Sequence, residues 1–452
     1  MNATPPATVE DGANESIIMK STLCLNTLAG AASLALLLTL EPASAADWPQ
    51  YRGPNQDGKS SEIIGANWGS SGPKSVWQIP TKNGFSSFAV VGGQAFTQVN
   101  RELNGAQREV VIALDANTGK ELWATDVGPG KYDSGGDAGT QDNRGGDGPR
   151  STPTINGGKV YVFNQFLVVS CLDAQTGKLL WSRDIAKEHA GRNIGWKSAI
   201  SAVVDGDLVF VAGGGAGQST LALDKNTGSV VWKAHDEMIT HATPVVATIQ
   251  GERQVIFFMQ KGLISVAAKD GKLLWRFPFR YNVSTAASPV VCGDIVYCSA
   301  GYGVGGGACQ ISKDGGEWKA TELYKIAGDR LIANHWSTPV FKDGYLYGMF
   351  SFKKYGVGPL KCVDVKTGEV KWEKPGFGAG NAIIAGDKVI ALADNGELVV
   401  VEATPDAYKE VARTKAVGGK CWSTPALANG RVYVRSTTEG ACLDVSGTLA
   451  TK

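Results

Sequence analysis

A phrase of about eleven residues recurs along the chain and constrains the fold more than any other feature of the sequence. It consists of a short apolar run, an Asp, a Thr-Gly turn and a second apolar run that ends in Trp. Four copies are plain: ALDANTGKELW at 113–123, CLDAQTGKLLW at 171–181, ALDKNTGSVVW at 222–232 and CVDVKTGEVKW at 362–372. Looser copies are ISVAAKDGKLLW at 264–275, ACQISKDGGEW at 308–318 and ACLDVSG at 441–447. Two apolar runs joined by a turn predict a β-hairpin.

A second phrase precedes each copy and completes the repeating unit. It opens with small residues, as in STPTINGGKVYVF at 151–163 and STPALANGRVYV at 423–434, and it predicts two short strands joined by a tight turn. We label these strands A and B, and the strands of the first phrase C and D. Eight such units of 40–58 residues follow one another, a length that is typical of a propeller blade.

Period and strand count together predict the fold class. We expect an all-β protein, an eight-bladed β-propeller of four-stranded antiparallel blades, over residues 74–447. The eighth unit stops after strand C at Val445, so we expect residues 74–79 (KSVWQI) to supply its strand D. This N-terminal strand would close the ring and remove the free sheet edges that invite aggregation.

The Trp at the end of strand D is predicted to pack each blade against its neighbour, because a large flat side chain repeated at one position suits an interface between repeats. The predicted blade-docking residues are Trp77, Trp123, Trp181, Trp232, Trp275 and Trp372. Tyr324 is the expected substitute in the fifth unit. Within the turn, Asp173 is expected to accept backbone hydrogen bonds and Gly177 to adopt the left-handed conformation.

The tandem A-[LV]-D-x-x-T-G-x-x-x-W phrase resembles the quinoprotein, or pyrroloquinoline-quinone (PQQ), propeller repeat over about residues 74–447. The segment DWPQYRGPNQDG at 47–58 is similar to the lead-in of secreted quinoprotein-like propellers. The resemblance implies two kinds of relative: quinone-dependent alcohol and glucose dehydrogenases, and BamB-type outer-membrane assembly proteins that bind no cofactor. The fold therefore does not decide the function.

The resemblance also implies which residues a dehydrogenase of this superfamily would need to hold its cofactor. Large quinoprotein dehydrogenases hold PQQ between a tryptophan and a disulfide of adjacent cysteines, with a Ca²⁺ ion bound beside it. This sequence has no adjacent Cys pair and no Cys-x-x-Cys-His haem motif. Our leading hypothesis is a non-catalytic binding scaffold with no cofactor; the alternative is a PQQ- and Ca²⁺-dependent periplasmic dehydrogenase of alcohols or sugars. We name no catalytic residue and no metal ligand.

The residues just before strand A are expected to open onto the central channel of the propeller. Aligned on the STP proline, the position three residues earlier holds several large polar or aromatic side chains. With their neighbours, they form the predicted ligand-binding rim: Arg150, Lys197, His241, His335, Trp336, Asn381 and Trp422. This set suits a flat or anionic small molecule, or a protein partner. A purely structural rim is the alternative, because such rims are generally polar.

The termini and the charge suggest an exported protein that does not bind nucleic acid. The apolar stretch from Leu23 to Leu40, followed by Ala43-Ser44-Ala45, predicts a signal peptide over residues 1–45, and we expect Met19 to be the true start. An uncleaved membrane anchor is the alternative. A lead-in over 46–73 and a tail over 448–452 flank the propeller, and we expect a periplasmic, secreted or cell-surface location. Lys and Arg number 44 against 43 acidic residues, so no strong field favours a polynucleotide.

Cysteines and one acidic loop are the remaining candidates for chemistry. Four cysteines, Cys171, Cys309, Cys362 and Cys442, are predicted to fill the same small buried repeat position. Disulfides between Cys298 and Cys309, or between Cys421 and Cys442, stay open. The loop at 131–148 carries four Asp residues whose oxygens suit Ca²⁺, but their spacing lacks the regularity of an EF-hand, so a solvated loop is the preferred interpretation.

Overall fold

Each copy of the repeated phrase forms two strands of a four-stranded antiparallel sheet. The computed structural model describes residues 46–68, 71–131, 148–283, 285–350 and 356–447 of the chain. Within these residues, eight such sheets form the blades of a ring, and one of them gains a fifth, parallel strand from the lead-in. This arrangement confirms the predicted eight-bladed β-propeller. The predicted signal peptide, the four Asp residues of the 131–148 loop and the predicted tail lie outside the described residues.

Two short strands precede the first blade, and the first four blades follow in chain order. The early strands are β1 (Lys59–Ser60) and β2 (Lys74–Pro80). Blade 1 contains β3 (Ala89–Val91), β4 (Gln94–Leu103), β5 (Ala106–Asp115) and β6 (Glu121–Pro129). Blade 2 contains β7 (Thr154–Asn156), β8 (Lys159–Phe163), β9 (Val168–Asp173) and β10 (Leu179–Asp184). Blade 3 contains β11 (Val203–Asp205), β12 (Leu208–Ala212), β13 (Thr220–Asp224) and β14 (Val230–Ala234). Blade 4 contains β15 (Val245–Ile249), β16 (Glu252–Met259), β17 (Gly262–Ala267) and β18 (Leu273–Pro278).

The remaining four blades complete the ring. Blade 5 contains β19 (Val290–Cys292), β20 (Ile295–Ala300), β21 (Gly305–Asp314) and β22 (Glu317–Ile326). Blade 6 contains β23 (Val340–Lys342), β24 (Tyr345–Met349), β25 (Leu360–Asp364) and β26 (Val370–Lys374). Blade 7 contains β27 (Asn381–Ala385), β28 (Lys388–Leu392), β29 (Glu397–Glu402) and β30 (Glu410–Lys415). Blade 8 contains β31 (Ala426–Ala428), β32 (Arg431–Arg435) and β33 (Glu439–Asp444).

Strand A of each blade lies innermost, since A strands of neighbouring blades such as β3 and β7 contact each other. The eighth blade obtains its outer strand from the N-terminal side. β2 pairs antiparallel with β33 and places Trp77 opposite Cys442, just as Trp181 lies opposite Cys171 in blade 2. The predicted closure of the ring by an N-terminal strand is therefore confirmed.

The Asp-x-x-Thr-Gly turn between strands C and D is held by its own side chains. Asp173 accepts hydrogen bonds from the backbone N–H groups of Gln175 and Thr176 at 3.1 and 2.8 Å, and from the Thr176 hydroxyl at 2.7 Å. Gly177 has a φ of +70°, which is the left-handed region that favours glycine. These contacts explain why Asp, Thr and Gly recur together.

The strand-D tryptophans lie between blades and bond to the next turn along the ring. Each indole Nε1–H except that of Trp275 donates to a backbone carbonyl of the following blade: Trp77 to Ala116, Trp123 to Ala174, Trp181 to Lys225, Trp232 to Ala268 and Trp372 to Thr404. The Tyr324 hydroxyl donates to Val365 in the same way. A Cβ on Gly177 would lie 2.5 Å from the Trp123 ring, so the turn glycine also makes room for the preceding tryptophan.

Blade 5 departs from the pattern because its outer hairpin is longer. β21 and β22 have 10 residues each, so their turn lies beyond the reach of Trp275, which instead donates to Gln254 Oε1 within its own blade at 2.7 Å. Ala308, not Cys309, lies opposite Tyr324 and fills the small repeat position. The sequence-based placement of Cys309 at that position was wrong by one residue.

The cysteines behave as packing residues. Cys171, Cys362 and Cys442 lie opposite the strand-D tryptophans of their blades, and all seven described cysteines are buried free thiols, Cys298, Cys309 and Cys421 among them.

In the described residues the only helix is α1 (Ile185–Glu188), which is far shorter and less apolar than a membrane-spanning helix.

The lead-in crosses the central channel and contacts inner strands on opposite sides of the ring. Arg52 is almost fully buried, and its guanidinium donates to the carbonyls of Thr338 at 2.7 Å and Pro339 at 2.9 Å in blade 6. Other backbone or side-chain bonds join Trp48 to Val90 in blade 1, Pro49 to Ile155 in blade 2, Gln56 to Val246 in blade 4, and Gly58 to Ile384 in blade 7. The channel is therefore closed at this end.

Candidate functional site

The strand order gives the ring two different faces. The A–B and C–D turns share one face, and the D–A connections and B–C loops share the other. The lead-in lies on the A–B side, since Glu62 accepts from the backbone of Asn429 and Gly430 in the A–B turn of blade 8. We call this side the closed face and the other the open face. The channel is thus a cup whose mouth is on the open face.

The residues at the mouth of the cup differ strongly in size. The position three residues before the STP proline holds, from blade 1 to blade 8, Phe85, Arg150, Ala199, His241, Ala286, Trp336, Ala379 and Trp422. The small side chain of Ala379 leaves room for Trp336 and Trp422 to meet across blade 7. Large and small residues alternate from blade 2 onward. The aromatic ones come from blades 6, 8 and 1 and Arg150 comes from blade 2, so the cup has an aromatic side and a basic side.

Five rings form a continuous aromatic cluster on one side of the mouth. Trp336 and Trp422 have ring centroids 4.4 Å apart, and Trp422 stacks on Phe85 at 5.2 Å. Trp336 also contacts His335 at 4.6 Å, which contacts Tyr302 at 5.1 Å. We call these five residues the aromatic ladder; it reaches from blade 1 through blades 8 and 6 to blade 5.

Polar groups hold the aromatic ladder in place. The indole Nε1–H of Trp336 donates to Ala379 O at 3.0 Å, and Asn381 Nδ2 donates to Trp422 O at 2.7 Å. Lys420 Nζ lies 4.6 Å from the centroid of the Trp422 ring. Asn381 therefore positions Trp422 through its backbone. The Trp422 Nε1–H is buried and has no acceptor among the described residues.

The opposite side of the mouth carries positive charge. Arg150 Nη1 donates to Trp196 O at 2.7 Å, and Lys197 Nζ lies 5.3 Å from the centroid of the Phe166 ring. Both basic side chains are partly exposed. Trp196 and Lys197 have φ values of +60° and +63°, an unfavourable conformation for residues with a Cβ. The connection from blade 2 to blade 3 is thus bent to bring these side chains to the rim.

His241 lies buried between these two sides. Its Nε2 lies 2.8 Å from Gly195 O, so Nε2 carries the proton and Nδ1 is an acceptor, which has no partner among the described residues. Burial lowers the pKa of His241 to about 4, and the nearby charge of Arg150 acts in the same direction. The side chain is therefore a neutral imidazole at pH 7.

Exposed apolar side chains lie on the open face along the arc from blade 2 to blade 6. They come from four successive D–A connections and one B–C loop, and each is between 38% and 60% exposed. We call them the apolar crown: Trp196, Met238, Val283, Leu331 and Val357. An apolar surface around a concave centre is typical of protein interaction sites.

The structure separates the seven predicted rim residues into two groups. Trp336, Trp422 and His335 belong to the aromatic ladder, with Asn381 behind it, whereas Arg150, Lys197 and His241 lie toward blades 2 to 4. Sequence reasoning missed Tyr302, which lies in a B–C loop outside the aligned position, and the apolar crown. The sequence signal for the apolar crown was a single large apolar residue in each of several successive D–A connections.

A planar cofactor of the PQQ type does not fit between Trp336 and Trp422. A planar ring that stacks between two flat side chains holds them apart by about twice the ordinary stacking distance. The ring centroids of Trp336 and Trp422 are only 4.4 Å apart. The carboxylate of Asp394, at the open-face end of blade 7, accepts from the backbone N–H groups of Gly356 and Ala379 at about 3 Å. No group of three His, Cys, Asp or Glu side chains suited to a metal occurs in the described part of the chain.

Comparison with known proteins places the chain among propellers. A family model described as outer membrane protein assembly factor BamB matches residues 107–347, just over half of the chain. The protein of that name from Moranella endobia (strain PCIT) is 23% identical over 255 residues, which are 55% of this chain and 63% of that protein. The one from Yersinia pestis is 22% identical over 294 residues, 65% of this chain and 59% of that protein. The chain thus spans less than two thirds of the length of these relatives.

Solved structures show the same fold at low identity. The crystal structure of BamB from Moraxella catarrhalis has a TM-score of 0.55 and 15% identity, and it covers 82% of this chain and 97% of that chain. Quinohemoprotein alcohol dehydrogenase from Comamonas testosteroni has a TM-score of 0.62 and 14% identity, over 91% of this chain and 82% of that chain. Both similarities concern the fold alone.

Proposed function

This chain belongs to the BamB family of β-propellers, and from that premise we propose that it is a non-catalytic binding propeller that docks a protein partner on its open face. The observation that carries the proposal is the apolar crown beside a cup closed at its far end. Exposed apolar side chains next to a concave centre provide the desolvated contact area on which stable protein association depends.

The cup suggests what the partner inserts. The aromatic ladder offers flat apolar surface and the Trp422 Nε1–H as a donor, whereas Arg150 and Lys197 offer positive charge on the other side. A segment with an aromatic side chain and a nearby carboxylate matches both sides at once, since aromatic rings stack and carboxylates bind guanidinium groups. Such a segment entering the cup, with the apolar crown covered around it, is the binding mode we favour.

The proposed location is the periplasm or the cell surface. It rests on the sequence of residues 1–45, whose apolar stretch and small residues before Asp47 have the pattern of a signal peptide. An exported location would bring the chain together with partners of the cell envelope, in keeping with the names of its relatives.

Site-specific photo-crosslinking in the native host tests the docking face. A photoreactive amino acid at Met238 or Leu331, in the apolar crown, is expected to give one discrete crosslinked protein. The same group at Leu180 or Val231, which are similarly exposed on the outer strands of blades 2 and 3, is the matched control and should not give that product. The double variant Arg150→Ala and Trp422→Ala should weaken the crosslink at least about tenfold, which is about 1.4 kcal/mol of binding.

Two results would contradict the proposal. One is a crosslinked partner that forms only at Leu180 or Val231, which would move the docking surface to the outer strands. The other is a bound quinone absorbance with dye reduction by alcohols or sugars after PQQ and Ca²⁺ are added to the purified protein. That second result would favour the dehydrogenase.

A further inference from the structure

Four buried oxygen atoms at the interface between blades 1 and 2 lack hydrogen-bond donors among the described residues. They are Gln98 Oε1, Asn100 Oδ1, Glu109 Oε1 and Gln165 Oε1. Their side chains are between 0% and 6% exposed. Leaving a buried polar group without a partner costs about 1–3 kcal/mol, so a group of four calls for a common explanation.

The orientation of the three amides is fixed by what their nitrogen atoms do. Gln98 Nε2 donates to Ser151 O at 2.9 Å, Asn100 Nδ2 to Gly130 O at 3.1 Å, and Gln165 Nε2 to Pro129 O at 2.7 Å. A carbonyl accepts only from a donor, so turning any of these amides over would place two acceptors against each other. The three oxygens therefore remain on the side where no donor is found.

The topology places the four side chains around one location. Asn100 and Glu109 are directly opposite each other on β4 and β5, and Gln98 is the diagonal neighbour of Glu109 on the same face of the sheet. Neighbours of both kinds lie within reach of long side chains. Gln165 comes from blade 2, and its backbone N–H donates to Glu109 Oε2 at 3.3 Å. The face that carries these residues is the face of blade 1 that packs on blade 2.

We propose that Gln98, Asn100, Glu109 and Gln165 bind a monovalent metal cation, Na⁺ or K⁺, between blades 1 and 2. A metal cation accepts lone pairs from all four oxygens, whereas one water molecule has only two protons to donate. Amide and carboxylate oxygens are hard ligands and suit hard cations. One carboxylate supplies one negative charge, which neutralises a monovalent ion, and a second uncompensated charge would be costly at a buried site.

Two neighbouring features agree with this assignment. Glu109 is fully buried, so an ionised carboxylate here needs a compensating positive charge close by. Arg150 is the charged group whose field also acts on Glu109, and it is partly exposed at the mouth of the cup, where solvent screens it. The bound ion would join β4 and β5 of blade 1 to the B–C turn of blade 2, next to the basic side of the cup.

Thermal unfolding in different salts tests the site. The unfolding temperature of the full chain is measured by tryptophan fluorescence in NaCl, KCl and choline chloride at equal ionic strength, because choline is too large for a buried site between two packed blades. NaCl or KCl is expected to raise the unfolding temperature by about 2 °C or more over choline chloride. The variant Glu109→Gln should lose this difference. The control Glu317→Gln, which removes an exposed carboxylate from blade 5, should keep it.

Even if Glu109→Gln does not fold, a crystal of the wild-type protein grown with Rb⁺ still tests the proposed cation site. An anomalous peak bounded by the four oxygens supports the proposal. Ordered water at that position, with unfolding temperatures equal in all three salts, overturns it and leaves a protonated Glu109 that donates to one amide oxygen. Stabilisation by CaCl₂ alone overturns the monovalent assignment.

Discussion

His241 shows how burial at the mouth of the cup sets the charge of a single residue. Its pKa in the folded protein is about 4, whereas a histidine in an unfolded chain titrates near 6.5. Below pH 6.5 the unfolded chain takes up a proton that the folded protein does not. Stability therefore falls as the pH is lowered from about 6.5 to about 4, and the lost free energy reaches about 3 kcal/mol at the end of this range.

Replacing His241 by Asn is expected to remove this acid sensitivity. Urea unfolding midpoints at pH 7 and pH 4.5 are compared for the wild type and the variant, and the decrease between the two pH values should be smaller in the variant. His235→Asn, at a partly exposed position, is the control and should lose as much stability as the wild type. An undiminished decrease for His241→Asn would show that burial does not hold the pKa of His241 below that of the unfolded chain.

At the level of elements, the contact between a strand-D tryptophan and the next turn glycine repeats around the ring. A Cβ on the turn glycine would come within 2.9 Å of the preceding ring at Gly119, Gly177, Gly228, Gly271 and Gly368. The first of these contacts is made by Trp77, which lies on β2. The joint between blade 8 and blade 1 is thus built like the others, although it connects the two ends of the chain.

The variant Gly177→Ala tests this contact against a matched glycine in the same blade. Gly157 also has a positive φ, +57°, but nothing lies within 4 Å of a Cβ built there. Gly157→Ala should therefore cost only the left-handed conformation, about 1–2 kcal/mol. Gly177→Ala should cost about 1–3 kcal/mol more, because the methyl group collides with Trp123. Equal unfolding midpoints in urea would mean that the blades separate enough to absorb the methyl group.

The elements could be predicted because each blade carries its own local signals. Asp173, Thr176 and Gly177 specify a turn through bonds that span only two or three residues, and the same pattern recurs along the chain. The predicted position of a single residue within its strand was wrong where that strand is longer than in the other blades. The longer hairpin of blade 5 puts Ala308 opposite Tyr324, and the letters of the phrase do not reveal that shift.

The candidate site could be predicted only in part. Alignment on the STP proline brought Trp336 and Trp422 to one rim, but their contact depends on the small size of Ala379 between them. The four buried oxygens between blades 1 and 2 come from residues that are ordinary in a strand or a turn, such as Asn100 and Gln165. Their importance lies in the donors that are missing around them, and only coordinates reveal that.

At the scale of the whole molecule, the lead-in converts a ring into a cup. Arg52 is central to it, because one guanidinium bonds to Thr338 and Pro339 in blade 6 and also to Asp57 O at 3.1 Å within the lead-in. A planar group with five donors reaches all three carbonyls, whereas a lysine ammonium does not. The lead-in and the inner strands therefore support each other through this residue.

The variant Arg52→Lys is expected to lower the free energy of unfolding by at least about 2 kcal/mol, because buried carbonyls lose their donors. It should also make residues 46–60 accessible to proteases in limited digestion, since the segment detaches before the blades unfold. Arg192→Lys, in the exposed connection from blade 2 to blade 3, is the control and should change neither measurement. A protected lead-in in Arg52→Lys would show that its backbone bonds suffice.

The closure of the channel also sets an order of events in folding. The carbonyl of Thr338 lies 286 residues after Arg52 in the chain, and Asn429, which donates to Glu62, lies 367 residues after it. During synthesis these two partners are made long after the lead-in, so the bonds of Arg52 and Glu62 form late, whereas Trp48 and Pro49 have their partners in blades 1 and 2 early. The part of the domain that is synthesised first consequently completes its native contacts only after the last blade has been made.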